Sequence, residues 1–305
     1  MHAPPPALVS ASLILGFAQP AHASTASPGG EGPWSGSIKQ FSDHCTDILV
    51  NSAYGLAAAK DPSVKRWEKH AWQVWNFFIM PNLPHRPPQT VVDIGCGFGL
   101  YDIYLSRHYG HNVTIVYFDQ ERAKPKGRTE IKRFGGWHAD VKAMPFYDRN
   151  NACTREIAEQ NGVPSGNIEL VNATEDNLAS MAGSTVDMIL SHTSYGFHYP
   201  FNTYGAAAFK ALRPGGVLLL TLRYLATANY IYSKDGTVMR GTAAPEDTVN
   251  EAKALGFHCV LKTEKEYTCG LKLEANTLAE GNGAEGNCRV MRCTKPRTSQ
   301  VGGVV

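Results

Sequence analysis

The chain has 305 residues, enough for one large domain or one domain with additions and too many for a mini-scaffold held together by disulfides. Its 29 Lys plus Arg are balanced by 27 Asp plus Glu, and charged residues make up 18% against about 25% in an average domain, so no basic surplus exists to hold nucleic acid. No stretch reaches the roughly 20 apolar residues needed to cross a bilayer, and a soluble domain without a membrane span is expected.

Residues 1–30 carry no Asp, Glu, Lys or Arg and contain five prolines, so they do not belong to the core. Ala7 to Ala18 has the form of a short signal-peptide apolar region, and Ala21-His22-Ala23 fits a small-residue cleavage site, but the usual positive charge is missing. A cleavable targeting segment ending at Ala23 and a disordered extension both remain open; a cytoplasmic location is the expectation. The seven cysteines, Cys45, Cys96, Cys153, Cys259, Cys269, Cys288 and Cys293, show no CxxC pair and no zinc spacing. Reduced, mostly buried thiols are expected and no metal, with Cys259, Cys269, Cys288 and Cys293 able to approach one another in a terminal hairpin.

From 38 to 82 the pattern is helical: Trp67, Ala71, Val74, Trp75 and Phe78 form one apolar stripe, which packs on a core and could also roof a pocket. Pro81, Pro84, Pro87 and Pro88 end it and form a stiff connector. Beyond it, aliphatic runs alternate with helical stretches, the signature of βαβ units in a parallel sheet. Strands are predicted at Thr90 to Cys96, Val113 to Asp119, Asn167 to Ala173, Val186 to Ser191 and Val217 to Tyr224. Helices are predicted at Leu100 to Tyr109, about Asp148 to Asn161, Asn202 to Leu212 and Pro245 to Gly256, the last with proline first and glycine last. Phe257 to Tyr267 and Asn287 to Cys293 have no helix between them and should pair antiparallel at the sheet edge, while Thr294 to Val305 reads as a loose tail. The expected organisation is an N-terminal segment (1–30), a helical N-terminal cap (31–88), one α/β domain (89–293) and the tail (294–305). That domain is expected to be doubly wound, with a mostly parallel seven-stranded sheet and an antiparallel C-terminal edge hairpin.

The most informative stretch is VVDIGCGFG, in which Asp93, Gly95, Cys96, Gly97 and Gly99 close a strand and open a helix. Glycines suit such a turn because it requires unusual φ/ψ and because a ligand must come closer than a Cβ allows. A dinucleotide fingerprint is G-x-G-x-x-G; here the spacing is G-x-G-x-G, with an aspartate two places before it. Asp93 would repel a pyrophosphate but can accept hydrogen bonds from an ammonium group, so a cationic amino-acid conjugate fits better than a nucleotide phosphate. Asp119, twenty residues beyond Gly99 at the end of the second strand, is placed to accept both hydroxyls of a ribose, a capping or solvated aspartate being the alternative.

These residues resemble the class I S-adenosylmethionine-dependent methyltransferases over about Thr90 to Tyr224. The resemblance implies S-adenosyl-L-methionine as cofactor, bound by Asp93, Gly95, Cys96, Gly97, Gly99 and Asp119, with adenine contacted by Asn172, Ala173 and Thr174 and with Ser191 beside it. The family often has an acid where this chain has Asn172. Leu212-Arg213-Pro214-Gly215-Gly216 resembles the family's turn before its fifth strand and is structural.

Ligands in open α/β sheets lie outside the carboxyl ends of the strands, where strand order reverses, which places SHTSYGFHYP, residues 191–200, beside the transferred methyl. Methyl transfer demands alignment, and an alcohol acceptor must also lose its proton, which a histidine of pKa about 6.5 can take at neutral pH. His198 is the first candidate base and His192 the second. Tyr199, Tyr195 and Phe197 can pack the loop or meet a sugar face, and Arg223 can hold an anionic group or a neighbouring carboxylate. The Asn/Asp-Pro-Pro-aromatic tetrapeptide of base methylases and the acidic pair of polyamine synthases are both missing. S-x-x-S-x-G-F-H-Y-P, with Tyr204, Phe146 to Asp148 and Arg223, resembles sugar or small-molecule O-methyltransferases. The expected function is therefore O-methylation of a small polar acceptor, without nucleic acid; an NAD-type oxidoreductase and a non-catalytic cofactor-binding protein are the alternatives.

Overall fold

In this computed structural model the described residues are 38, 42–45, 68, 71–119, 152–181, 185–192, 194–195, 200–224, 230–232, 238–240, 244–263 and 287–297, all within the compact unit Ser37–Val305. A π-helical segment, Val74–Ile79, runs into a single 3-10 turn, Met80–Asn82. There follow β1 (Thr90–Ile94), α1 (Leu100–His108), β2 (Thr114–Asp119), α2 (Ala152–Gln160), β3 (Ile168–Asn172), α3 (Glu175–Ser180), β4 (Val186–Ser191), α4 (Gly205–Ala211), β5 (Leu212–Tyr224), β6 (Tyr230–Tyr232), β7 (Val238–Arg240), α5 (Pro245–Ala254), β8 (His258–Thr263) and β9 (Asn287–Thr294).

Seven strands form one sheet in the order β3-β2-β1-β4-β5-β9-β8. β1 to β5 pair in parallel, and β9 runs antiparallel to both β5 and β8, as the two terminal apolar runs led one to expect. β6 and β7 form a separate antiparallel pair that the hydrophobic pattern did not announce.

The aliphatic runs of β1, β2 and β4 are buried on both faces, as central parallel strands must be. Their period-two alternation sorts side chains into two cores. Val91, Ile115, Tyr117, Met188, Leu190, Val217 and Leu219 join the layer of Val74, Trp75, Phe78 and α1. Val92, Val116, Phe118, Ile189, Leu218 and Leu220 join the layer of α4 and Phe257. Of the predicted apolar stripe, Ala71, Val74, Trp75 and Phe78 are buried in the first core; Trp67 lies outside the described residues. Asp187, on β4, accepts hydrogen bonds from the Gln89 (2.7 Å) and Thr90 (2.9 Å) amides and pairs with Arg213, tying β4 to the start of β1 and to β5.

Three expectations need correction. Pro214-Gly215-Gly216 lies within β5 rather than before it. Gly215 N donates to Lys295 O (2.8 Å) and Lys295 N to Gly216 O (3.0 Å), and the β4–β5 register absorbs the extra residues as a shift between Val186 and Met188. The same bonds show that the supposed loose tail begins as ordered chain: Thr294 closes β9, and Lys295 donates to Leu212 O (2.6 Å) and lies 4.9 Å over the Phe209 ring. The third concerns the thiols. Cys45–Cys153 and Cys259–Cys293 are disulfides, and among the described residues Cys96 is the free cysteine. Cys259 and Cys293 are direct cross-strand partners in the β8–β9 register, the approach the terminal hairpin suggested. Cys45 and Cys153 are 108 residues apart and meet only through the tertiary fold.

Candidate cofactor site

β1 sits between β2 and β4, so strand order reverses beside it and the carboxyl ends of β1 and β4 flank a crevice. The glycine turn starts there. Gly95, Gly97 and Gly99 have φ of 73°, 55° and 61°, a left-handed backbone that costs other residues about 1–2 kcal/mol each. Gly95 N donates to Phe118 O (2.7 Å) and Gly99 N to Cys96 O (2.9 Å).

The need for glycine has a second source, different from the one expected. A Cβ on Gly95 would fall 1.9 Å from Ser194 Oγ, and one on Gly99 would fall 2.2 Å from Tyr117 Cε1. At those two positions the close approach is made by the protein's own side chains. The turn is thus locked between β2 and the segment after β4.

Asp119, 9% exposed at the end of β2, accepts the Gly97 N–H on Oδ2 (3.0 Å). This bond fixes the side chain beside the turn. Cys96 is buried with its thiol 3.6 Å from Gly97 O and 3.9 Å from Asp119 Oδ2. Burial first, then the nearby carboxylates, pushes it well above the usual thiol range, so it stays protonated and packs the turn.

Asp93 faces the α1 layer and is fully buried. Tyr101 donates to its Oδ1 (3.0 Å), while Asp93 Oδ2 and both carboxyl oxygens of Asp102, also fully buried, have no hydrogen-bond partner among the described residues. Burial is the main reason that Asp93 is pushed up from 3.8 to about 7, with Asp102 and Tyr101 opposing it. Asp102 is pushed well up by burial and by the Asp93 charge.

A carboxyl with a raised pKa in the folded chain adds stability that is complete below its unfolded pKa and lost as pH rises through the folded one. The ligand-free protein is therefore expected to lose about 1.4 kcal/mol per pH unit per proton between pH 4 and 7. Asp102→Asn removes one of the two buried carboxyls, and the decline should flatten. Urea unfolding at pH 5 and pH 8 checks this; equal declines in both proteins would show that Asp102 holds no extra proton in the folded chain.

His192 lies on the same face, 4% exposed, its ring 5.4 Å from Phe78 and 6.1 Å from Tyr101. Ser191 is fully buried and commits its hydroxyl within the protein: it donates to Ile94 O (2.6 Å) and accepts from Tyr195 N (2.9 Å), joining the ends of β1 and β4. Tyr195 donates to Phe201 O (2.7 Å) and Tyr204 to Ala173 O (3.2 Å), so both pack the loop. At the end of β3, Ala173 N donates to Asp119 O (2.8 Å) and Thr174 N to Asn172 O (2.9 Å), while Thr174 Oγ1 caps α3 at Asn177 N (3.0 Å). The backbone donors expected to meet adenine are engaged inside the protein, leaving the exposed Asn172 side chain at the sheet's carboxyl edge. His198, Tyr199, Phe197 and Phe146 to Asp148, and the side chain of Arg223, lie outside the described residues.

Sequence reasoning missed three participants. Asp102 was visible as an acid among Leu100, Tyr101, Ile103, Tyr104 and Leu105, all buried. Tyr117 and Thr154 gave no local signal.

No protein-family model and no curated protein matches the chain. Among solved structures it is similar to the [4+2]-cyclase SpnF, at 13% identity and a TM-score of 0.56 over 82% of this chain and 94% of that one. The fold is that of the class I S-adenosylmethionine-dependent methyltransferases. An O-methyltransferase family protein of Burkholderia thailandensis matches 83% of the chain at 12% identity, with a TM-score of 0.45. Phosphoethanolamine N-methyltransferase 2 of Haemonchus contortus, solved with S-adenosyl-L-methionine, matches 83% at 11% identity, with a TM-score of 0.49. The chain covers 65% and 57% of these two proteins, less than two thirds of each. In this methyltransferase fold the turn from Gly95 to Gly99 and Asp119 stand at the strand ends that open on the crevice. No helix among the described residues is long and apolar enough to cross a membrane.

Proposed function

We propose that the chain is an S-adenosylmethionine-dependent methyltransferase that methylates a hydroxyl of a small polar molecule such as a sugar or sugar conjugate. The observation that supports this best is the left-handed glycine turn gripped at Gly97 by Asp119. The turn carries no basic side chain, and carboxylates stand at the ends of both β1 and β2. Those acceptors suit a cation with ribose hydroxyls and disfavour a pyrophosphate, which weighs against an NAD-type oxidoreductase.

In this reading Asp119 accepts the ribose hydroxyls, Asn172 reaches adenine, and the turn of Gly95, Cys96, Gly97 and Gly99 sets the floor. Asp93, buried and with its carboxyl pushed up to about 7, lies beneath that floor and makes no direct contact. Ser191, Ala173 and Thr174 hold the walls through their own hydrogen bonds. The bound cofactor supplies an electrophilic methyl carbon. His198 takes the proton of the acceptor hydroxyl, with Tyr199 beside it; His192, held between Phe78 and Tyr101, supports the loop that carries them.

Calorimetric titration with S-adenosylmethionine tests the cofactor, and the absence of binding at about millimolar ligand, the weak end of useful affinities, would end the proposal. Incubation with labelled methyl donor and a metabolite extract then reports the acceptor as the species that gains one CH₂. Binding without any methylated product would favour a non-catalytic cofactor-binding protein.

A further inference from the structure

The backbone of Gly97 is held from two directions. Asp119 Oδ2 takes its N–H at 3.0 Å, and Thr154 Oγ1, on α2, donates to its carbonyl at 2.8 Å. Thr154 is 4% exposed and lies in the first turn of a helix fastened from outside. Its neighbour Cys153 is disulfide-bonded to Cys45, and Glu156 accepts the Ser42 amide at 2.9 Å. The two contacts grip the peptide on each side of the Gly97 Cα, so together they set its φ of 55°. Across a planar trans peptide the C=O and N–H point opposite ways. By drawing the Gly97 carbonyl toward α2, Thr154 turns the Phe98 N–H away from α2.

We infer that Thr154 is a positioning residue for the cofactor turn: its hydroxyl, carried on a helix stapled to the N-terminal segment through Cys45–Cys153, holds the turn in its binding-competent path. This rests on the proposed cofactor reading and deepens it, since it makes the affinity of the turn depend on a residue that touches no ligand.

The test compares Thr154→Val, which keeps the shape and removes the donor, with Thr154→Ser, which restores it, in the full chain. The carbonyl keeps the Cys96 thiol at 3.6 Å, so the loss is that of an ordinary hydrogen bond, and Thr154→Val should weaken S-adenosylmethionine binding by about twofold to tenfold. The change should fall on KM for the methyl donor rather than on kcat, and Thr154→Ser should recover most of it. Amide hydrogen exchange of residues 96 to 99 in the ligand-free protein gives a readout independent of the cofactor: faster exchange in Thr154→Val, near wild-type exchange in Thr154→Ser. Wild-type affinity and exchange in Thr154→Val, or a serine variant as impaired as the valine one, would overturn the inference. Absence of S-adenosylmethionine binding by the wild type would instead sink the cofactor reading, and the exchange comparison would still decide whether Thr154 holds the turn.

Discussion

Gly99→Ala is expected to lower the unfolding free energy by about 2–5 kcal/mol, because it adds a left-handed backbone penalty of about 1–2 kcal/mol to an overpacking cost of about 1–3 kcal/mol. The new methyl would sit 2.2 Å from Tyr117 Cε1. Tyr117 cannot yield, being fully buried among α1 and the core of the sheet. Gly99 is also the N-cap of α1, with a left-handed backbone and no capping side chain, so the strain reaches the first turn of the helix and the turn that precedes it. Chemical denaturation should show a lower midpoint with an unchanged slope. In the double variant Gly99→Ala/Tyr117→Leu, part of the loss should return, since the ring that meets the methyl is gone. An unchanged midpoint in the single variant would mean that the ring and the turn separate at no cost.

His198→Ala is expected to reduce kcat by about 10²- to 10⁴-fold, the usual contribution of a positioned general base, with cofactor affinity held within about threefold, as for a site that supplies no binding contact. The reason is the chemistry of the proposed acceptor: a hydroxyl would have to shed its proton as oxygen attacks, and the sequence after β4 offers two imidazoles. His192 is enclosed by Phe78 and Tyr101 at 4% exposure, so the proposal gives the proton to His198. Raising the pH should partly restore the variant, because hydroxide and ionised acceptor replace the missing base. Unchanged turnover would remove His198 from the mechanism while leaving cofactor binding intact; parallel kinetics of His192→Ala would show which imidazole carries the proton.

The sheet was legible because its determinants are local. Val91 and Val92, Ile115 and Val116, and Met188 to Leu190 are short aliphatic runs between turn residues, and only a strand covered on both faces satisfies such a run. The glycine turn was legible for the same reason: Asp93 and the three glycines lie within seven residues, and both the backbone angle and the crowding follow from that spacing. What escaped the sequence depends on parts of the chain that meet only after folding. Nothing near Cys45 announces Cys153. Thr154 is one threonine in an amphipathic helix until α2 sets it against Gly97. The amides of Ala173 and Thr174 looked available because the β2 carbonyl and the Asn172 oxygen that engage them are invisible in one dimension. The space at Gly95 and Gly99 was assigned to a ligand, whereas Ser194 and Tyr117 fill it, since a sequence shows that a Cβ is missing but not what replaces it.

Because β9 lies between β5 and β8, this sheet cannot be assembled in the order in which a ribosome makes it. β8 emerges before β9, the only strand it pairs with among the described residues, and until Asn287–Thr294 follows, β5 keeps an open hydrogen-bonding edge at Val217 to Tyr224. A nascent chain stalled or cleaved before residue 287 would present that edge to any extended peptide nearby, a known route to aggregation. The interval before β9 closes that gap should therefore be the one in which the nascent chain is most prone to aggregate.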